Sequence, residues 1–232
     1  MDNVIYPAHY RIIDGQIQTV EEHLIGVGML CSEYARGHGF EWTGKLLGLL
    51  HDFGKYTSKF YDYITEGIRR EKEGEPPLSR TVDHGKYGAI FLCRHYPQNN
   101  ICDKVMLEIL AMVICYHHGG LEDYITDDLD CKLVNRCKTD GQSEEDAYKE
   151  ACTKFFDRVL NQSEMEEIFQ KSSEEFRKYM QSREKPDQFD LHLLIKILYS
   201  CLIDADRYDT YCFIQKNNII ERINEAEISE LW

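Results

Sequence analysis

No stretch of this 232-residue chain approaches the roughly 20 consecutive apolar residues that a membrane-spanning helix needs. The N-terminus, MDNVIYPAHY, lacks the charged-then-apolar pattern of a secretory signal. The nine cysteines form no Cys-x-x-Cys pair, so no zinc knuckle is indicated. Without an export signal they read as reduced thiols, and a cytoplasmic protein is expected. Positive charge is also scarce. Lys and Arg total 27 against 41 Asp and Glu, a net charge of −14, which excludes a protein that grips nucleic acid over its whole surface but leaves room for a local site. No internal repeat, low-complexity linker or convincing strand is found. One stretch, Gly39-Phe40-Glu41-Trp42-Thr43-Gly44-Lys45, has the glycine and lysine spacing of a phosphate-binding loop. Leu46 stands where Ser or Thr should hold magnesium, and no strand precedes it, so it is set aside.

What is there is helix, and the expected class is all-α. Thr19-Val20-Glu21-Glu22 has the capping-box pattern, and Val20, Leu24, Val27, Cys31 and Tyr34 follow at helical spacing. A leucine-rich helix over about 40–53 stops at Gly54, and another over about 57–70 carries Phe60, Ile64 and Ile68 on one face. REKEGEPPLSR, 70–80, reads as a loop. Helices follow from about 84 to 95, ended by Pro97, and from about 101 to 118, ended by Gly119-Gly120. Residues 143–182 read as two charged amphipathic helices, the second opened by Ser163-x-x-Glu166. A last apolar helix begins near Asp187. Residues 121–190 hold 19 acidic and 11 basic side chains, a net of −8, and read as a solvated acidic insert in a single domain.

Histidine and carboxylate side chains fall at telling places. His23 flanks the stripe of the first helix, His51-Asp52 ends the leucine helix, and His84 starts a later one. His117-His118 ends the next, and Asp204-Ala205-Asp206 interrupts the most hydrophobic helix. Neighbours in a helix point about 100° apart, so adjacent side chains converge more easily at a helix end. Asp204 and Asp206 lie about 200° apart on this count, so only one faces inward. A carboxylate in so apolar a helix needs a partner, and a bound cation is one remedy. His9, His38, His95 and His192 read as loop or exposed residues.

Together, His23, the HDFGK of 51–55, His84, the YHHG of 116–119 and the DADRYDT of 204–210 resemble the HD phosphohydrolase superfamily. More narrowly, they are similar to the HD nuclease domain of the type I CRISPR-associated helicase-nuclease, over about residues 18–212 and most weakly across 121–190. The resemblance implies an HD-type helical domain with its metal site among helix ends. It implies two adjacent divalent-metal positions, one held by His23, His51, Asp52 and a late aspartate, the other by His84, His117 and His118 with Asp52 bridging. The family's Ala-Asp pair selects Asp206 over Asp204, and Lys55 is expected to meet a substrate phosphate. Histidine-rich ligation favours Mn, Fe, Co or Ni over Mg. The substrate implied is single-stranded DNA, with a helicase motor in cis or in trans and a CRISPR surveillance complex with its R-loop as partners, and no membrane. Two rival readings stay open: an HD phosphohydrolase of nucleotides or cyclic dinucleotides, and a non-catalytic helical interaction module.

Overall fold

The Thr19 hydroxyl accepts the Glu22 N–H at 3.2 Å while the Glu22 carboxylate accepts the Thr19 N–H at 2.8 Å, so helix α1 (Val20–Arg36) opens on the box its sequence announces. The computed structural model describes residues 4–96, 100–121, 131–182 and 188–216. Ahead of α1 lies an antiparallel hairpin of β1 (Pro7–Arg11) and β2 (Gln16–Thr19). This corrects the reading that the chain has no strand. The strands are too short to show much alternation, but Asp14-Gly15 is a hairpin turn signal, and Gly15 takes a φ of +71°. The register shifts between Pro7 and His9.

Helix α2 (Glu41–Leu50) ends with its last leucine, short of the expected end near 53, and a 3₁₀ turn (Phe53–Tyr56) follows. His51 and Asp52 occupy the junction. Helix α3 (Ser58–Glu73) runs past residue 70 to Gly74, whose φ of +69° suits a glycine cap. Then come α4 (Lys86–His95), α5 (Ile101–Tyr116), the short α6 (Lys132–Arg136), α7 (Gln142–Arg158), α8 (Gln162–Gln181) and α9 (Gln188–Gln215). The capping box of α8 is Asn161 with Glu164, not Ser163 with Glu166. The expected start of α9 at Asp187 lies outside the described residues. All nine cysteines are free. Among the described residues no helix is long and apolar enough to cross a membrane.

The acidic segment does more than face solvent. Tyr148, Ala151 and Phe155 of α7, with Met165, Phe169 and Phe176 of α8, are buried in the core. Helix α8 also caps α2. The Phe40 side chain offers no acceptor to that helix start, and Glu175 instead accepts the N–H groups of Trp42 and Thr43, each at 2.9 Å. The stretch that mimics a phosphate-binding loop therefore has its helix N-terminus filled by the protein's own carboxylate.

Glycines let backbones meet where the histidines gather. A Cβ at Gly44 would stand 2.3 Å from the Cys31 carbonyl oxygen, and one at Gly48 would stand 2.6 Å from the Gly28 nitrogen. Helices α1 and α2 are thus antiparallel and in backbone contact. At the other end of the junction, a Cβ at Gly88 would meet the Leu50 carbonyl oxygen at 2.0 Å, and one at Gly54 would meet that of His84 at 2.3 Å. Gly88→Ala should therefore cost about 1–3 kcal/mol through overpacking. Gly67→Ala, in the middle of α3 with nothing within 4 Å of the added methyl, should stabilise by about 0.5–1 kcal/mol. Denaturant unfolding of the two variants checks both signs, and a neutral Gly88→Ala would show that α4 does not press on α2 as described.

Candidate metal centre

The pairing of α1 with α2 places His23 beside His51. Cys31 lies opposite Gly44 and Gly28 opposite Gly48, so the end of α2 comes level with the first turns of α1. The two Nε2 atoms are 3.3 Å apart, and both rings are fully buried. Helix α9 supplies the third element. Its Asp206 Oδ1 lies 3.3 Å from His23 Nε2 and 3.7 Å from His51 Nε2. The neighbouring carboxylate, Asp204, is exposed. Of the two carboxylates, set about 200° apart on the helix, Asp206 is the inward one.

Asp52 joins this group to a second one. Its Oδ2 is 3.3 Å from both His23 Nε2 and His51 Nε2. Its Oδ1 is 3.1 Å from His84 Nε2, 3.3 Å from His117 Nε2 and 3.6 Å from His118 Nε2. Two sets of four potential ligands result, His23–His51–Asp52–Asp206 and Asp52–His84–His117–His118. Within each, the candidate ligand atoms lie within 4.8 Å of one another. Each carboxylate oxygen of Asp52 faces one set. The first set is largely buried, with the Asp206 side chain 17% exposed, whereas the His118 side chain is 52% exposed, so the centre is more open on the second side.

The donor atoms are arranged to accept a cation. Nδ1 of His51 faces the Gly48 carbonyl at 2.8 Å, that of His84 the Val82 carbonyl at 2.9 Å, and that of His117 the Ile114 carbonyl at 2.7 Å. Nδ1 of His23 faces Asp209 Oδ2 at 2.7 Å. A carbonyl or carboxylate can only accept, so each Nδ1 carries the hydrogen and the Nε2 atoms point into the centre. His117 Nε2 and both Asp52 oxygens are buried without a hydrogen-bond partner, although Lys55 Nζ stands 2.7 Å from Oδ2 as an ion pair. Unsatisfied buried acceptors facing each other are costly. A divalent cation removes that cost.

The charges fit the same picture. Burial alone would raise the Asp52 carboxyl, but Lys55, His51, His84 and His117 together hold it well below the ordinary value. Asp206 behaves likewise, held down by His23 and His51 against its burial. Burial would lower His23 and His51, yet the carboxylates of Asp52 and Asp206, joined at His23 by Asp209, raise both above the ordinary imidazole value. Burial dominates at His117 and keeps it below.

All seven residues expected as ligands come together, and Lys55 lies among them. Two neighbours escaped the sequence reading. Asp209, one turn beyond Asp206 on the same face of α9, is buried and holds both His23 and Gln18 Nε2, each at 2.7 Å. Its signal was present in the DADRYDT stretch as an i, i+3 pair of aspartates. His9 was read as a loop or exposed residue. It lies instead on β1, with its ring 4.7 Å edge-on from that of His23 and Nε2 3.3 Å from Thr210 Oγ1. Burial, helped by Lys55 and His23, pushes it down to about 2, so it stands neutral beside the centre. His38, His95 and His192 are exposed as expected.

Fold and site define a class: an all-α hydrolase with a buried histidine–aspartate centre built for divalent metal. A family model described as HD domain matches residues 20–153, more than half of the chain. The chain belongs to the HD domain family, whose members bind divalent metals, and it is a metal-dependent hydrolase of the phosphohydrolase type. No curated protein matches the chain. The matched span holds six of the seven residues, and α9 brings Asp206 from beyond it.

Two expectations follow for the metal-stripped protein titrated with manganese. Asp206→Asn should weaken binding by more than the roughly 10–100-fold expected of Asp209→Asn, which loses only an orienting partner, and Asp204→Asn should bind as wild type. Calorimetry that ranked Asp204→Asn weakest would reverse the placing of α9. The second concerns pH. The raised His23–His51 pair holds a proton at neutral pH, and 3.3 Å between the Nε2 atoms leaves no room for two protons between them. A cation must expel that proton, so affinity should rise by roughly tenfold per pH unit between pH 6 and 8. A pH-independent affinity would show that the pair is already neutral.

Proposed function

We propose that this chain is a metal-dependent nuclease that hydrolyses phosphodiester bonds of single-stranded DNA in type I CRISPR interference. It works in the cytoplasm with a helicase motor, in cis or in trans, at the R-loop of a CRISPR surveillance complex. The observation that carries this reading is Asp52: a buried carboxylate whose two oxygens each face a separate set of ligands. That geometry suits two neighbouring divalent ions, with Asp52 as the bridge. The resemblance of HDFGK, His84 and the His117-His118 doublet to the CRISPR-associated nuclease domains supports the choice of substrate. A purely structural role is disfavoured, because a helical interaction module has no use for buried acceptors aimed at one another.

Divalent ions held there would supply Lewis-acid polarisation of a phosphodiester and activation of the attacking water. The chain's own residues do the rest. His23, His51, His84 and His117 present Nε2 because their Nδ1 hydrogens are fixed by Asp209 and three backbone carbonyls. The first set is the more deeply buried of the two, and the exposed edge of His118 marks the side from which substrate enters. Lys55, paired with Asp52 Oδ2 at 2.7 Å, would meet a substrate phosphate oxygen beside the ions that Asp52 would help to hold. Imidazole-rich donors favour Mn, Fe, Co or Ni over Mg.

The test is incubation of the metal-stripped protein with circular single-stranded DNA, adding each of these ions in turn. The expected outcome is linearised and then fragmented DNA, abolished by chelation. Asp52→Ala should lower the rate by more than the roughly 100-fold that bounds the loss of an outer partner, with the helical circular-dichroism spectrum kept. Intact circles alongside turnover of nucleotides or cyclic dinucleotides would replace this reading with the other phosphohydrolase one.

A further inference from the structure

The exposed second set opens onto a cavity of about 610 Å³, within the range of small-ligand sites. His84 and His118 form one wall, and Tyr63, Asp83, Tyr116 and Arg136 line the rest. Tyr63 is half-buried. Its ring lies 5.9 Å from that of Phe60, which meets His84 edge-on at 4.7 Å, so Tyr63 is two ring contacts from a ligand of the centre. Arg136 stands with its guanidinium 5.3 Å above the Tyr116 ring. It pairs with Asp83 at 3.1 Å, and its buried Nε has no hydrogen-bond partner among the described residues. Such a partly exposed ion pair is weak, so a phosphate can share or displace Asp83.

An aromatic side chain for a base and an arginine for a backbone phosphate, in one cavity with two residues of the candidate metal centre, are the parts that hold a single strand without reading its sequence. Tyr63 also lines a second cavity of about 510 Å³, together with His9, Tyr10 and Arg70. A strand seated on Tyr63 therefore has a second cavity beside the first to extend into, which a blind nucleotide pocket does not offer. We propose that the Tyr63–Arg136 cavity is the subsite for the nucleotide next to the scissile phosphodiester, its base stacked on Tyr63 and its far phosphate held by Arg136. This rests on the nuclease reading and deepens it.

Steady-state cleavage of an oligothymidylate and of an abasic oligomer of equal length separates the two contributions. Tyr63→Ala should raise KM on oligothymidylate by roughly 5–100-fold and leave the abasic oligomer unaffected. Tyr63→Trp should restore binding, because stacking needs only an aromatic face. Arg136→Gln should raise KM on both substrates and lower the slope of log KM against log salt by about 0.7, the share of one phosphate contact on a single strand. Metal content by elemental analysis should match wild type in every variant. Equal losses on both oligomers for Tyr63→Ala, or an unchanged salt slope for Arg136→Gln, would overturn the subsite while the nuclease reading stands. A wild-type protein that cleaves neither oligomer with any of the metals would overturn both.

Discussion

Everything near the centre of this protein is arranged around one buried carboxylate. Asp52 is fully buried, and ionised groups taken out of water cost several kcal/mol unless opposite charge and donors compensate. Lys55 and the histidines provide the charge, and they hold the carboxyl far down its titration range. No donor is aligned on either oxygen. The fold therefore maintains a concentrated negative point that is only partly neutralised by the chain itself. That is the electrostatic definition of a cation site, and it explains why the leucine helix α2 ends on a polar pair. The turn from α2 into the 3₁₀ segment aims Asp52 at groups that a continuing helix would not reach.

Holding such a point in place requires backbones closer than side chains normally permit. Gly44 and Gly48 let α2 touch α1, while Gly88 and Gly54 let α4 and the loop before it touch the end of α2. The histidines then arrive by geometry, with His23 from α1, His84 from the approach to α4, and His117 and His118 from the end of α5. Helix ends also supply free carbonyls, and those of Gly48 and Ile114 hold Nδ1 of His51 and His117, so the helix termini orient the rings as well as deliver them. One side of the centre is packed against α9 and the hairpin and is largely buried, and the other is more open. This asymmetry gives the chemistry a direction of approach.

Much of this was legible from residues alone. The capping box at Thr19, the helical spacing of Val20, Leu24 and Val27, and the punctuation by glycine and proline mark most of the helices, because local sequence governs helix initiation and termination. The hairpin was missed because its strands are short, although Asp14-Gly15 announces the turn. The start of α8 was displaced by two residues, since Asn161 caps as well as serine does and lay nearer the first turn. The acidic segment looked like a solvated face. Four of its aromatic residues, Tyr148 and Phe155 on α7 and Phe169 and Phe176 on α8, turn out to be buried in the core.

What the sequence by itself determined is therefore the kind of residues and the local frame: helices, their ends, and His-Asp and His-His doublets where the backbone turns away. Residue type and short-range spacing are local properties, and they carry that information fully. The family resemblance already implied which distant groups share a site, and only the tertiary structure decided the contacts that bring them there. The backbone contact of α1 with α2 set His23 3.3 Å from His51, and the seating of α9 chose Asp206 and added Asp209 across more than 180 residues of chain. The hairpin turned His9 from a presumed surface residue into a half-buried neighbour of the centre. These outcomes depend on close packing between elements far apart in sequence, and no periodicity within a single element encodes them.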